Sequence, residues 1–214
     1  MSEYNDIKPV VAIDCDGVLA DWLGYVIPVA NILFNTNIKQ SDLTGWDLYD
    51  IIDDPKAKTT LYDYLNQTKM ILDMNPYEEA LRGMAALKEF ADIYVVTSPM
   101  MNYPNWILHR NKWLKTHFGI DKNHVIHTSA KHLVQADVFI DDKSENVVNW
   151  KKFRDNGFNG YSILWKHDHI EFNLEKQYED DYFQGNKIRH TNDWNEILEL
   201  TKHVHGIMNG DLPF

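Results

Sequence analysis

Val10-Val11-Ala12-Ile13-Asp14-Cys15-Asp16-Gly17-Val18-Leu19-Ala20-Asp21-Trp22 decides how the rest of the chain is read. Four apolar residues run directly into Asp-Cys-Asp-Gly. A short apolar run bounded by a turn signal reads as a buried strand. Gly17 can take the positive φ that such a turn demands. In an open parallel sheet, ligands sit beyond the carboxyl ends of the strands. That rule places Asp14 and Asp16 at the mouth of a site. Carboxylates so placed can hold a hard cation such as Mg²⁺ through oxygen. One of them can instead attack phosphorus while the other handles the proton. An Asp-x-Asp alone is equally well a solvated turn. The longer run, strand then Asp-x-Asp-Gly-Val-Leu and Asp21, is more specific.

Working outward, Ala136-Asp137-Val138-Phe139-Ile140-Asp141-Asp142-Lys143 repeats the pattern of an apolar strand that finishes in paired carboxylates. Two such pairs at one end of a sheet would push each other's pKa upward unless positive charge lay between them. A divalent cation resolves this, and Mg²⁺ suits an all-oxygen site. Lys131, ten residues before Asp141, can add a further point charge. Asp92-Ile93-Tyr94-Val95-Val96-Thr97-Ser98-Pro99 is another strand, ending in hydroxyls that can bind phosphate oxygens.

Between these strands the spacing predicts helices over 78–91, 103–118 (closed by Gly119) and 144–153, with short strands at 125–127 and 161–165. Ser129 or Thr128 would cap a short helix carrying Lys131. Residues 166–190 read as a polar loop, in which His167 and His169 lack a third ligand and read as solvated. Asp193 opens a last helix to about Val204 through a capping box, leaving 206–214 as a loose tail. Residues 22–75 break the alternation of strand and helix. They read as a helical insertion over the strand ends, with a helix from Trp22 to Phe34 despite Pro28 and another over 56–72. The expectation is a doubly wound parallel sheet of five strands in an α/β fold, with residues 1–21 and 76–205 as the core and 22–75 as a helical cap. A lid there would exclude water from phosphoryl transfer.

The residues Asp14 to Asp21 resemble the first motif of the haloacid dehalogenase superfamily, and the Gly-Val-Leu-Ala-Asp continuation resembles its 5'(3')-deoxyribonucleotidase branch. Thr97-Ser98-Pro99 is similar to the second motif, and Lys131 with Asp141-Asp142 to the third and fourth. The resemblance runs from Val10 to about Leu200. It implies a Rossmann-like fold and hydrolysis of a (deoxy)ribonucleoside monophosphate through an aspartyl-phosphate. Asp14 would be the nucleophile and Asp16 the acid and base. Mg²⁺ would be held by Asp14, the Asp16 carbonyl and Asp142, with Asp141 orienting. Thr97 or Ser98 and Lys131 would hold phosphate, while Trp22, Trp46 and Arg110 would contact substrate. Asp47 and Met101 stand where the family has an aromatic and a basic residue, and Lys143 where it has an arginine, so the base preference stays open.

The totals narrow the classes further. With 32 acidic against 21 basic residues the net charge is −11, a poor basis for binding duplex nucleic acid. One cysteine among 214 residues excludes an internal disulfide and a multi-cysteine zinc site, and fits a cytoplasmic setting. Residues 1–9 lack the apolar stretch of a signal peptide, and no run is long enough to span a bilayer. A homodimer is left open. The competing readings are a superfamily phosphatase for a non-nucleotide ester, an inactive nucleotide-binding protein, and a phospho-receiver domain. The last is disfavoured because its phosphorylated Asp would follow a middle strand.

Overall fold

The computed structural model describes residues 6–43, 52, 54–67, 69–154, 160–167 and 188–212. Its centre is a sheet of six parallel strands in the order β3-β2-β1-β4-β5-β6. These are β1 (Val10–Ile13), β2 (Asp92–Thr97), β3 (Val125–His127), β4 (Val138–Asp141), β5 (Tyr161–Trp165) and β6 (Ile188–Thr191). The order reverses at β1, which pairs with β2 on one side and β4 on the other. Asp14 donates its N–H to the Ile140 carbonyl at 2.8 Å, so the acidic ends of β1 and β4 stay in step.

The helices are α1 (Trp22–Phe34), α2 (Pro55–Gln67), α3 (Met70–Asp73), α4 (Glu78–Leu87), α5 (Trp106–Phe118), α6 (Ser144–Arg154) and α7 (Trp194–Met208). Strand side chains alternate between faces, and the core divides accordingly. Val11 and Ile13 face one cluster with Leu114, Trp113 and Ile197. Ala12 faces another, in which Phe139 stacks on Trp150 with ring centroids 5.1 Å apart. The sheet is thus covered on both faces, which is why β1 and β4 read as unbroken apolar runs. Among the described residues no helix is long and apolar enough to cross a membrane.

The sixth strand corrects the reading of 166–190 as a loop throughout. Ile-Arg-His-Thr pairs only with β5 and has one large apolar residue, so its sequence lacks the signature of the central strands. The final helix also runs four residues beyond Val204. The tail it belongs to is tied down: Asn209 accepts from the Ile7 N–H at 3.0 Å and donates to the Ile7 carbonyl at 3.1 Å.

The helix from Trp22 to Phe34 forms as expected. Asp21 caps it by accepting from the Gly24 N–H at 2.9 Å, and Asn35 closes it in the left-handed conformation. The two ends of the segment 22–75 meet. Asp21 N–H donates to the Asn75 carbonyl at 2.9 Å and Tyr77 N–H to the Leu19 carbonyl at 3.0 Å, on either side of an Ala20–Pro76 bridge.

Candidate active site

The carboxyl ends of β1, β2 and β4 converge on a cavity of about 700 Å³, within the range of small-molecule sites. Asp14, Asp16, Ser98, Lys131 and Asp142 line it together with Trp22 and Tyr62, from α1 and α2.

Lys131 is the hub. Its Nζ lies 2.7 Å from Asp14 Oδ1 and 2.8 Å from Asp141 Oδ2, with only 4% of the side chain exposed. The residue sits in a 3₁₀ turn, Lys131–Leu133, rather than an α-helix, and Thr128 Oγ1 braces that turn by accepting from the Ala130 N–H at 3.0 Å. Burial alone would lower the lysine's pKa; the two carboxylates outweigh it and hold it above its ordinary value.

The oxygens of the acidic residues are unequally committed. Asp14 Oδ1 accepts from both Lys131 and the Cys15 N–H (2.7 Å), while no described donor reaches Oδ2. Asp141 is fully engaged: Lys131, the Lys143 N–H at 2.9 Å and Asn146 Nδ2 at 3.0 and 3.2 Å all donate to it. Asp142 has one side-chain contact, His167 Nε2 at 3.2 Å from Oδ2. Burial first, then neighbouring carboxylates, push Asp14 and Asp142 well above the ordinary carboxylate range, because one ammonium cannot offset three carboxyl groups. Oxygens of Asp14, Asp141 and Asp142 lie within 4.8 Å of one another. An excess of buried negative charge, presented entirely through oxygen, fits a hard divalent cation. Asp14 and Asp142 have the oxygens free to serve it.

Gly17 makes this approach possible. Its φ is +80°, and a Cβ there would fall 1.8 Å from Asp142 Oδ2. Only glycine satisfies both demands.

The expected site residues are not all brought together. Of the two hydroxyls at the end of β2, Ser98 lines the cavity, whereas Thr97 is fully buried and its Oγ1 has no partner among the described residues. Neighbours on a strand point to opposite sides, so only one can face the site. Arg110, expected on the substrate, does not line the cavity. It is fully buried on α5, and its Nη2 donates to both oxygens of Asp16 at 2.7 Å. Trp46 and its neighbours Asp47 and Tyr49 lie outside the described residues, as does His169.

Tyr62, Tyr77, Ser129 and His167 join the lining without having been expected there. Tyr62 sits in α2, whose buried residues are Leu61 and Leu65, while Tyr64 is 42% exposed. The His167–His169 spacing was the only signal for His167. It follows β5 directly, and strand ends are where such sites form.

The comparisons with known proteins bear on this geometry. The model of the family described as "5' nucleotidase, deoxy (Pyrimidine), cytosolic type C protein" matches residues 8–200. A 5'(3')-deoxyribonucleotidase of Bacillus subtilis is 27% identical over 164 residues, covering 76% of this chain and 88% of that one. Among solved structures, a haloacid dehalogenase family hydrolase of Deinococcus radiodurans, with bound phosphate and sodium, superposes with a TM-score of 0.57 at 12% identity, covering 94% and 97% of the two chains. A Bacillus subtilis hydrolase of the same kind, bound to magnesium, gives 0.55 at 9% identity, covering 91% and 98%. These last two likenesses concern the fold.

Proposed function

The chain belongs to the cytosolic type C family of deoxy (pyrimidine) 5' nucleotidases, haloacid dehalogenase-type phosphomonoesterases, and from that membership we propose that it hydrolyses deoxyribonucleoside monophosphates through an aspartyl-phosphate on Asp14. The observation that carries this reading is the asymmetry of Asp14. Oδ1 is fixed by Lys131 and the Cys15 N–H, and Oδ2 is left open at the end of β1.

In the first step a carboxylate oxygen of Asp14 forms a bond to phosphorus as the ester P–O bond breaks. The bonding pair leaves with the nucleoside oxygen, which takes a proton from Asp16. In the second step a water gives its proton to Asp16 and attacks phosphorus, and the bond to Asp14 breaks to release phosphate. Ser98 and Lys131 hold the phosphoryl oxygens. Lys131 also keeps Asp14 pointed, and Asp141, with all its donors, keeps Lys131 in place. Mg²⁺, held by Asp14, Asp142 and the Asp16 carbonyl, would neutralise charge on the phosphoryl group, where most phosphoryl-transfer catalysis lies.

Trp22 and Tyr62 offer aromatic surface where the nucleoside would lie, and Trp46 would add a further ring. The helical segment 22–75 would roof the cavity and keep bulk water from the intermediate. The test is phosphate release from deoxy- and ribonucleoside 5'- and 3'-monophosphates and from sugar phosphates, with Mg²⁺ and with chelator, and with Asp14→Asn as control. Metal-dependent release favouring deoxynucleotides supports the reading. Turnover of sugar phosphates alone replaces the substrate and keeps the chemistry.

A further inference from the structure

Asp16 is the group asked to give and take the proton, and its surroundings are peculiar. Its carboxylate lines the cavity with 32% of the side chain exposed, so the cavity side gives it nothing firm to rest on. From the opposite side one nitrogen, Arg110 Nη2, lies 2.7 Å from both oxygens. This charge-assisted contact ties the carboxyl group to one point beneath the cavity floor, and the group cannot swing about its Cα–Cβ bond without giving it up. Arg110 is itself immobile. Its side chain is 1% exposed, and its guanidinium lies 5.1 Å from the Trp106 ring and 5.8 Å from the Trp113 ring. Its Nη1 donates to Cys15 Sγ at 2.9 Å. Nε is buried with no partner among the described residues, so the guanidinium is not placed to maximise its own hydrogen bonding. Burying a charge between two indoles is costly, and an apolar side chain of like volume would fill the space at lower cost. The charge is accounted for by its partner.

We propose that Arg110 is a positioning residue for Asp16, fixing from beneath the cavity floor the direction in which the proton is delivered to the leaving oxygen, and that it does not bind substrate. The inference rests on the reading of Asp16 as acid and base given above. It makes the effect of Arg110 depend on how much the leaving group needs a proton. para-Nitrophenolate departs readily as an anion. Phenolate departs less readily, and a nucleoside alkoxide least of all. The two aryl esters differ by the para-nitro group alone, so the ratio of variant to wild type on each, compared between them, reports proton delivery rather than binding.

The experiment measures kcat and KM of wild type, Arg110→Met and Arg110→Lys on phenyl phosphate and para-nitrophenyl phosphate, with Asp16→Asn as reference. Positioned general acids contribute about 10²-fold or more. Arg110→Met should therefore lower kcat/KM, which reads the step that expels the leaving group, about 100-fold on phenyl phosphate and by a tenth of that or less on para-nitrophenyl phosphate. Asp16→Asn should show the same imbalance. Arg110→Lys keeps the charge without the two-oxygen grip, and should show the same split at smaller amplitude; it carries the comparison if the methionine variant does not fold. Equal loss on both esters overturns the proposal. A wild-type protein that turns over neither ester overturns the phosphatase reading itself, which is a distinguishable result.

Discussion

Replacing Gly17 with alanine tests the geometry on which the cation site depends. The added Cβ would sit 1.8 Å from Asp142 Oδ2, and real Cβ contacts essentially never fall below 3.0 Å, so the carboxylate must retreat by about 1.2 Å. The backbone at φ +80° adds strain of about 1–3 kcal/mol for a residue with a side chain. At about 2–4 °C per kcal/mol for a domain of this size, the melting temperature should fall by roughly 2–12 °C. The functional loss should be far larger. A displacement of about 1 Å can cost on the order of 100-fold in rate, and Asp142 is one of the two carboxylates with a free oxygen for the cation. The assay pairs calorimetric titration of Mg²⁺ with kcat/KM on a deoxynucleoside monophosphate, at a temperature where the variant remains folded. Weakened Mg²⁺ binding together with a drop of about 100-fold is expected. A folded Gly17→Ala protein with wild-type Mg²⁺ affinity would refute the placement of Asp142 in that site.

Other outcomes follow from the same arrangement. Ser98→Ala should raise KM and lower kcat, while Thr97→Val should leave steady-state kinetics unchanged, since the Thr97 hydroxyl is buried and unpartnered; equal losses would put both on the phosphate. Lys131→Met should cost about 3–5 kcal/mol in chemical denaturation, because it strands Asp14 and Asp141 as buried carboxylates. Trp22→Ala should raise KM for nucleotides, by an amount equivalent to about 1–3 kcal/mol, and spare para-nitrophenyl phosphate, if a base stacks there. For pH, Asp14 and Asp142 hold their protons in the folded state above the pH at which the unfolded chain, near 3.8, releases them. Their contribution therefore erodes as pH rises through that window. In chelator the melting temperature should lose this part of its stability as pH rises above about 4, and the gain from added Mg²⁺ should grow in the same direction. A gain that shrank with pH would contradict the burial argument.

Some of this was legible in the residues because the physics was local. β1 and β4 are buried on both faces, so they are continuously apolar, and their acidic endings announce the site. The hydroxyls at the end of β2 were visible too, but which of them faces the cavity depends on strand register, which two adjacent residues do not reveal. Arg110 shows the limit more sharply. Trp106, Arg110, Trp113 and Leu114 form the buried stripe of α5, so the spacing could have marked Arg110 as interior. A basic side chain on such a stripe gives no hint of its partner, because Asp16 lies 94 residues away in sequence. β6 escaped for the opposite reason. An edge strand needs little apolar content, so its sequence reads like the polar stretch before it.

The meeting of Leu19–Asp21 with Asn75–Tyr77 has a consequence for how such a protein can change. The segment between them is also held along its length: its α3 packs on α5, and the Met74 carbonyl accepts from Trp113 Nε1 at 2.8 Å, so its freedom to vary lies in the connections between its helices. Doubling the length of a flexible loop adds only about 0.6 kcal/mol of closure cost. Residues 22–75 supply Trp22 and Tyr62 to the cavity, while Asp14, Asp16, Lys131, Asp141 and Asp142 all lie outside that segment. Changes of length between α1 and α2 would leave these carboxylates in place. If Trp22 and Tyr62 meet the nucleoside as proposed, part of the substrate contact and the whole of the bond-breaking set lie in different stretches of sequence, free to diverge at different rates.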